Sequence, residues 1–288
     1  MLNSLARKIK ALADYIKFSD EKMQNNSSSH PEIEVNALFL DYDGTISPIN
    51  VPRFKSKVPS ETLAVLNKIR EQIPVAIITT KPLQFVVKRT PFAHAWSGLG
   101  GLETKIGDVK AKAACLQRIT PHIAKALRYS RSLAKGILTI ETKRDFEGVV
   151  AAFSIDWRHA KNRVRAKKTA MKILSFCENL PLITVKHEEQ PFFDVFPCVV
   201  KKGAALLELK QKLALQTGVL YMGDSTEDNS AFAAADLAIG VVHAETPKNL
   251  TCNFFIKFED MAQFLNSLLD NGLCFKPELL TGLHKSRE

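Results

Sequence analysis

Short, largely apolar segments, each followed by residues at helical spacing, constrain the fold of this chain more than any other feature. Residues 75–78, 219–222 and 237–242 contain no charged side chain, and residues 35–40 carry only Asn36 as a polar member. A strand with one face in water would alternate apolar and polar residues, so these runs must be covered on both sides. Residues 95–101 add a strand that ends in glycines, and 254–256 add one near the C-terminus. Between them lie helical patterns. Pro59-Ser60-Glu61 supplies an N-cap and an acidic first turn ahead of Leu63, Leu66 and Ile69, and residues 83–88, 203–216, 230–235 and 261–269 read as further helices. The arrangement predicts an α/β fold whose parallel sheet is covered on both faces.

The texture changes between residues 106 and 197. A long helix at 112–133 precedes strands at 137–143 and 149–155, joined through Asp145-Phe146-Glu147-Gly148. A basic helix and a second strand pair, 182–186 and 192–196, follow. This doubled helix-strand-strand order predicts an inserted α+β cap. The expected organisation is an N-terminal helical extension and linker at 1–34, a catalytic core at 35–105 and 198–270, the cap at 106–197, and a C-terminal tail at 271–288. In the extension, Leu2, Leu5, Ile9, Leu12 and Ile16 have amphipathic spacing. Arg7, Lys8, Lys10, Asp14 and Lys17 interrupt it, which argues against a signal peptide or membrane span.

In an open parallel sheet, ligands bind beyond the carboxyl ends of the strands. The first strand ends in Asp41-Tyr42-Asp43-Gly44-Thr45. Asp41 and Asp43 alternate to the same side, and Gly44 lets the backbone turn away. Such a pair suits a magnesium ion shared with a phosphate, or a nucleophile beside an acid/base. A calcium loop would continue with alternating oxygen ligands, whereas Ile46 and Ile49 turn apolar at once. Thr79 follows the strand at 75–78, Lys201 and Lys202 precede the helix at 203–216, with the residues alone leaving open which of the two points inward, and Gly223-Asp224 with Asp228 follows the strand at 219–222. These supply a hydroxyl, a cation and two further carboxylates at the same edge.

A net charge of +10 favours an anionic partner without specifying its class. The densest basic stretch, from Arg158 to Lys172, disperses its charges around a helix and is not interleaved with aromatics beyond Trp157, so it reads as a solvated face rather than a nucleic-acid platform. Neither a nucleic-acid nor a membrane partner is expected, and oligomeric state is left open. Five scattered cysteines with no close pairs predict neither a zinc site nor a disulfide framework, and fit a cytoplasmic location.

Taken in order, Asp-x-Asp-Gly-Thr, the post-strand Thr, Lys-Gly and Gly-Asp-x(3)-Asp resemble the haloacid dehalogenase superfamily of phosphohydrolases. The resemblance implies a Rossmann-like parallel-sheet core of the haloacid dehalogenase type with an inserted α+β cap. It implies Asp41 as nucleophile, Asp43 as acid/base, and Thr79 and Lys202 as holders of the phosphoryl group. Mg2+ would be bound by Asp41, Asp43 through its backbone carbonyl, and Asp224, with Asp228 as a ligand or support. Within the superfamily, residues 38–49, 75–81 and Ala231-Phe232 are similar to trehalose-6-phosphate phosphatases. Glu141-Thr142-Lys143 and Asp194-Val195-Phe196-Pro197 are similar to that family's sugar-binding strings, implying Glu141, Lys143 and Asp194 as substrate binders, with Thr80 beside Thr79. The implied partner is a small-molecule sugar phosphate. Thr80-Lys81 stands where the family has Gly-Arg, Asp156-Trp157-Arg158 where it has His-Tyr-Arg, and the Gly98 to Glu103 string lacks the family's His. Trehalose 6-phosphate is therefore the first expectation, with mannosyl- or glucosyl-3-phosphoglycerate or another sugar phosphate as alternatives. A non-catalytic regulatory or nucleic-acid-binding protein would be expected to have lost one or more of Asp41, Asp43, Thr79, Lys202 and Asp224, all of which are present.

Overall fold

The computed structural model describes residues 32–49, 51, 56–186, 191–243 and 249–281. The expected amphipathic helix over 2–16 and the polar linker at 25–31 lie outside the described residues. In chain order the elements are β1 (Ile33–Glu34), β2 (Ala37–Leu40), α1 (Ser60–Ile69), β3 (Val75–Ile78), α2 (Leu83–Val86), β4 (Ala95–Gly98), β5 (Glu103–Ile106), β6 (Val109–Lys112) and α3 (Ala114–Ala134). They continue with β7 (Thr139–Arg144), β8 (Val150–Asp156), α4 (Arg163–Glu178), β9 (Ile183–Lys186), β10 (Phe192–Phe196) and α5 (Lys202–Lys212). The last are β11 (Val219–Gly223), α6 (Asn229–Phe232), β12 (Leu237–Val242), β13 (Phe254–Lys257), α7 (Met261–Asp270), β14 (Cys274–Phe275) and α8 (Glu278–Thr281).

An eight-stranded sheet has the order β13-β12-β11-β2-β3-β4-β5-β6 and is parallel from β13 to β4. Strand alternation sends its apolar residues to two separate cores. Leu38, Leu40, Val75, Ile77, Leu220 and Met222 pack with Leu66 and Ile69 of α1 and with Phe264, Leu265 and Leu268 of α7. Phe39, Ala76, Ile78, Val219 and Tyr221 face the other way, onto Leu206 and Leu209 of α5 and Ala231 and Phe232 of α6. Burying a large side chain of this kind contributes about 1.5–3 kcal/mol, so both faces favour the same strand register. Helix α1 starts at Ser60, and Pro59 rather than Ser60 holds the cap position without a side-chain cap.

Three expectations are corrected. The sheet does not stop at residue 105: Leu99, Gly100 and Gly101 all have positive φ and reverse the chain, so β5 and β6 add two antiparallel strands as far as Lys112, with β6 at the edge. Their composition hides them: β5 reads Glu-Thr-Lys-Ile, and β6 alternates lysine with Val109 and Ala111, which are exposed. Residues 271–281 do not form a free tail, since β14 pairs with β1 and Phe275 is buried against α7. Finally, Cys115 and Cys198 form a disulfide across 83 residues of sequence, where no local spacing signals it.

The segment between β6 and α5 builds a second, antiparallel sheet of order β7-β8-β10-β9. Helices α3 and α4 cover one face of it, through Ile123, Leu127, Ile173 and Leu174 packed on Phe153, Ile155, Phe193 and Val195. The opposite face carries the polar row Glu141, Ser154 and Asp194, aligned across β7, β8 and β10. The β7–β8 turn rests on the larger sheet. Glu103, fully buried on β5, accepts from Phe146 N at 2.5 Å and from Leu83 N at 3.1 Å, and Lys112 pairs with Asp145 at 2.9 Å.

Burial pushes the Glu103 carboxyl up to about 7, with Asp145 adding to the rise, against the two backbone donors and Lys112. An unfolded glutamate ionises near 4.5, so between these two pH values the folded chain keeps a proton that the unfolded chain has released. Stability should therefore fall as pH rises through this window. The thermal midpoint of Glu103→Gln is expected to fall less than that of wild type between the two pH values; parallel profiles would refute the assignment. Among the described residues, no helix is long and apolar enough to cross a membrane.

Candidate active site

The carboxyl edges of β2, β3 and β11 lie side by side, with Leu40 paired to Ile77 and to Met222. Each strand ends where its apolar run ends, so the first polar residue after it sits at one common edge. Asp41 follows β2, Thr79 follows β3, and Asp224 follows β11. Gly44 (φ +80°) turns the β2 loop back, and a Cβ there would run into the Asp224 carboxylate. The turn is closed by Gly44 N donating to Ser47 O at 2.7 Å, and His243 Nε2 lies 2.8 Å from Gly44 O.

Lys202, the first residue of α5, is buried and reaches both Asp41 Oδ1 at 2.8 Å and Asp228 Oδ1 at 2.7 Å. Tyr221 OH also donates to Asp228 Oδ1, at 2.5 Å. The other oxygen, Oδ2, accepts from Asp224 N, Ser225 N and Ser225 Oγ at 3.0–3.2 Å. Asp228 is thus held by five donors and braces the loop that carries Asp224. Each of Asp41, Asp224 and Asp228 offers an oxygen within 4.8 Å of the others.

This cluster is short of positive charge. Burial pushes the Asp41 carboxyl up to about 7, opposed by Lys202 and reinforced by Asp228 and Asp43. Asp224 is raised well above the usual carboxylate range, first by burial and then by Asp41 and Asp228. Burial also works against the Lys202 ammonium, but Asp228 and Asp41 outweigh it and hold the proton more tightly than usual. Three carboxylates share one ammonium, all as hard oxygen donors. That is the donor set and the charge deficit that a small divalent cation corrects.

Asp43 sits in different surroundings. Its side chain is 36 % exposed against 6 % for Asp41. Ser56 Oγ donates to one oxygen at 3.3 Å, and Lys81 Nζ lies 3.3 Å from the other. Thr79 is buried, its Oγ1 accepting from Lys81 N at 3.2 Å, and Thr80 beside it is half-buried.

The structure therefore gathers Asp41, Asp224, Asp228 and Lys202, with Asp43 and Thr79 on adjoining turns. The other predicted residues form a second group on the smaller sheet. Lys143 Nζ donates to Asp194 Oδ1 at 2.7 Å, Ser154 Oγ donates to the same oxygen, and Glu141 is level with Ser154 in the next strand. Lys81, Tyr221, Ser56 and His243 were not singled out as site residues. Each lies outside a recognisable motif or inside an apolar run; only Lys81 carried a signal, as a cation directly after the Thr79-Thr80 pair.

Solved structures with the same fold include a trehalose-6-phosphate phosphatase related protein (TM-score 0.66, 19% identity, covering 82% of this chain and 98% of that one). The C-terminal domain of the C. albicans trehalose-6-phosphate phosphatase gives a TM-score of 0.66 at 15% identity, covering 83% of this chain and 93% of the other. A haloacid dehalogenase-like hydrolase from Bacteroides thetaiotaomicron gives 0.60 at 14% identity, covering 82% and 100%. The fold is that of the haloacid dehalogenase superfamily, a Rossmann-like α/β core. No curated protein matches the chain in sequence. The trehalose-phosphatase family model matches residues 39–247. The chain belongs to that family, and is a phosphatase that acts on a sugar phosphate.

Proposed function

We propose that the chain hydrolyses trehalose 6-phosphate to trehalose and inorganic phosphate through a phosphoryl group carried on Asp41, with Mg2+ as cofactor. The observation that carries the reading is the contact of buried Asp41 with Lys202, at an edge shared with Asp224. In the first step an Asp41 oxygen attacks phosphorus, the bond from phosphorus to the sugar oxygen breaks, and Asp43 gives that oxygen a proton. In the second, Asp43 takes a proton from water as the water oxygen attacks phosphorus. The bond to Asp41 then breaks and phosphate leaves. The partial exposure of Asp43 suits a group that meets both the leaving oxygen and solvent. Lys202 and Thr79 hold the phosphoryl oxygens and offset the repulsion between a carboxylate and a phosphate dianion. Asp41, Asp224 and the backbone carbonyl of Asp43 would hold magnesium, and Asp228, its oxygens already engaged, supports the loop. When bound, magnesium supplies the positive charge that the carboxylates lack.

We assign the smaller sheet as the cap, whose polar face with Glu141, Lys143 and Asp194 receives the sugar. Charged groups give strong, directional hydrogen bonds to hydroxyls. A magnesium-supplemented screen of sugar phosphates by phosphate release tests both parts. Trehalose 6-phosphate should show the highest kcat/KM, and chelation should abolish release until magnesium is restored. Glu141→Gln is expected to raise KM for trehalose 6-phosphate about tenfold, with hydrolysis of a simple aryl phosphate unchanged. A trehalose 6-phosphate rate no better than that of monosaccharide phosphates would remove the substrate assignment.

A further inference from the structure

The smaller sheet and its helices join the larger sheet through two crossings, one from β6 into α3 and one from β10 into α5. Cys115 lies in the first turn of α3 and Cys198 two residues beyond β10. Their disulfide therefore ties the outgoing crossing to the returning one, with Cα atoms 6.4 Å apart. Both cysteines are half-buried rather than sealed. They pack on an apolar cluster drawn from both units: Leu99 and Leu102 from the glycine turn of the larger sheet, Ala151, Ala152 and Phe196 from the smaller. The returning crossing is short and closely fitted. Val200 fills the space that a Cβ on Gly100 would need, at 2.9 Å, and two residues later Lys202 touches Asp41 and Asp228. A restraint placed on Cys198 thus acts on the segment that delivers the ammonium to the site.

We propose that Cys115 and Cys198 are a redox-controlled clasp on the hinge between the two units, opened by a dithiol and closed by a small-molecule disulfide, and that closing it slows turnover. In opening, a thiolate of the dithiol attacks one cysteine sulfur and the protein S–S bond breaks, giving a mixed disulfide and a cysteine thiolate that takes up a proton. The second thiol of the reagent then displaces the other cysteine. Two protein thiols form, and the reagent leaves as its disulfide. In closing, two cysteine thiols are oxidised, one molecule of oxidised glutathione is reduced to two of glutathione, and a mixed disulfide is again the intermediate. The other cysteines, Cys177, Cys252 and Cys274, are unpaired with one another, and burial pushes the Cys177 thiol up to about 12. In the phosphatase reading, substrate enters and product leaves as the units part by changes of φ and ψ in a few residues of the crossings. A covalent tie couples the two crossings and removes part of that freedom.

The kinetic part rests on the phosphatase reading, while the sulfur chemistry does not. The full chain is equilibrated in mixtures of dithiothreitol and oxidised glutathione of graded potential. Three quantities are then read: thiols by a chromogenic disulfide reagent under denaturation, kcat for trehalose 6-phosphate with magnesium, and amide hydrogen exchange over residues 197–201. The reduced chain should show five thiols and the oxidised chain three. Reduction should raise kcat about threefold or more, together with exchange at the crossing. Cys115→Ser and Cys198→Ser should each show four thiols when reduced and hold the reduced values of kcat and exchange in every buffer; if either variant folds poorly, the reversible wild-type titration decides alone. Five thiols in every buffer would overturn the clasp, as would a change in thiol count with kcat and exchange both unmoved. If neither redox state releases phosphate from trehalose 6-phosphate, the substrate assignment fails, and exchange alone decides: faster exchange on reduction supports the clasp, unchanged exchange overturns it.

Discussion

Asp41→Asn is expected to lower kcat for phosphate release by about 10⁴-fold or more, because the amide cannot form the covalent phosphoryl intermediate and nothing else near the site replaces it. Among the neighbouring carboxylates, Asp228 is held by five donors, and Asp43 lies on an adjoining turn, facing Lys81 and Ser56. The substitution preserves shape while removing one of three crowded carboxylates that share a single ammonium. Without added metal, the thermal midpoint of the variant should therefore equal or exceed that of wild type, even though activity is lost. Asp41→Ala, which also leaves a void, should melt lower. Phosphate release by Asp41→Asn at a rate near that of wild type would sink the assigned nucleophile, and a large fall in its midpoint would sink the charge argument.

Lys202→Met should be damaging in both respects. The side chain keeps its length but loses the ammonium that reaches Asp41 and Asp228, so buried carboxylates lose their cation. Removing one partner of a buried ion pair costs about 3–5 kcal/mol. Loss of fixed positive charge at the transferring phosphoryl group should lower kcat/KM by about 10²–10³-fold. Magnesium should raise the thermal midpoint more in this variant than in wild type, since it enters a site of greater negative charge. Thermal denaturation with and without magnesium, beside phosphate-release kinetics, measures both. A variant as stable and as active as wild type would show that Lys202 is not the cation at the centre of the site.

Much of this was legible in the residues, for a physical reason. Buried parallel strands must be apolar along their whole length, so residues 75–78, 219–222 and 237–242 announced themselves, and ligand chemistry collects where such runs end. Asp41, Thr79 and Asp224 were therefore readable one strand end at a time, with Asp228 four residues further on, whereas the choice of Lys202 over Lys201 came from the family resemblance alone. Strands β5 and β6 were not readable, because neither contains an apolar run: β5 reads Glu-Thr-Lys-Ile with its glutamate buried, and β6, at the sheet's border, reads Val-Lys-Ala-Lys and is largely exposed. Nor was the seating of the smaller sheet: Glu103 meets Phe146 and Leu83 only when three distant segments converge.

The sequence by itself determined the class of fold, the edge of the sheet where chemistry occurs, and the residue types assembled there, since strand periodicity and turn chemistry are local. Tertiary structure decided how each carboxylate is held. Asp228, a ligand candidate by motif, is saturated by Lys202, Tyr221 and the Ser225 loop, whereas Asp43 keeps an open side. It also joined Cys115 to Cys198 at the base of the insertion. Both outcomes depend on distances between segments far apart in the chain, and burial and charge at such distances are set only when the chain has folded.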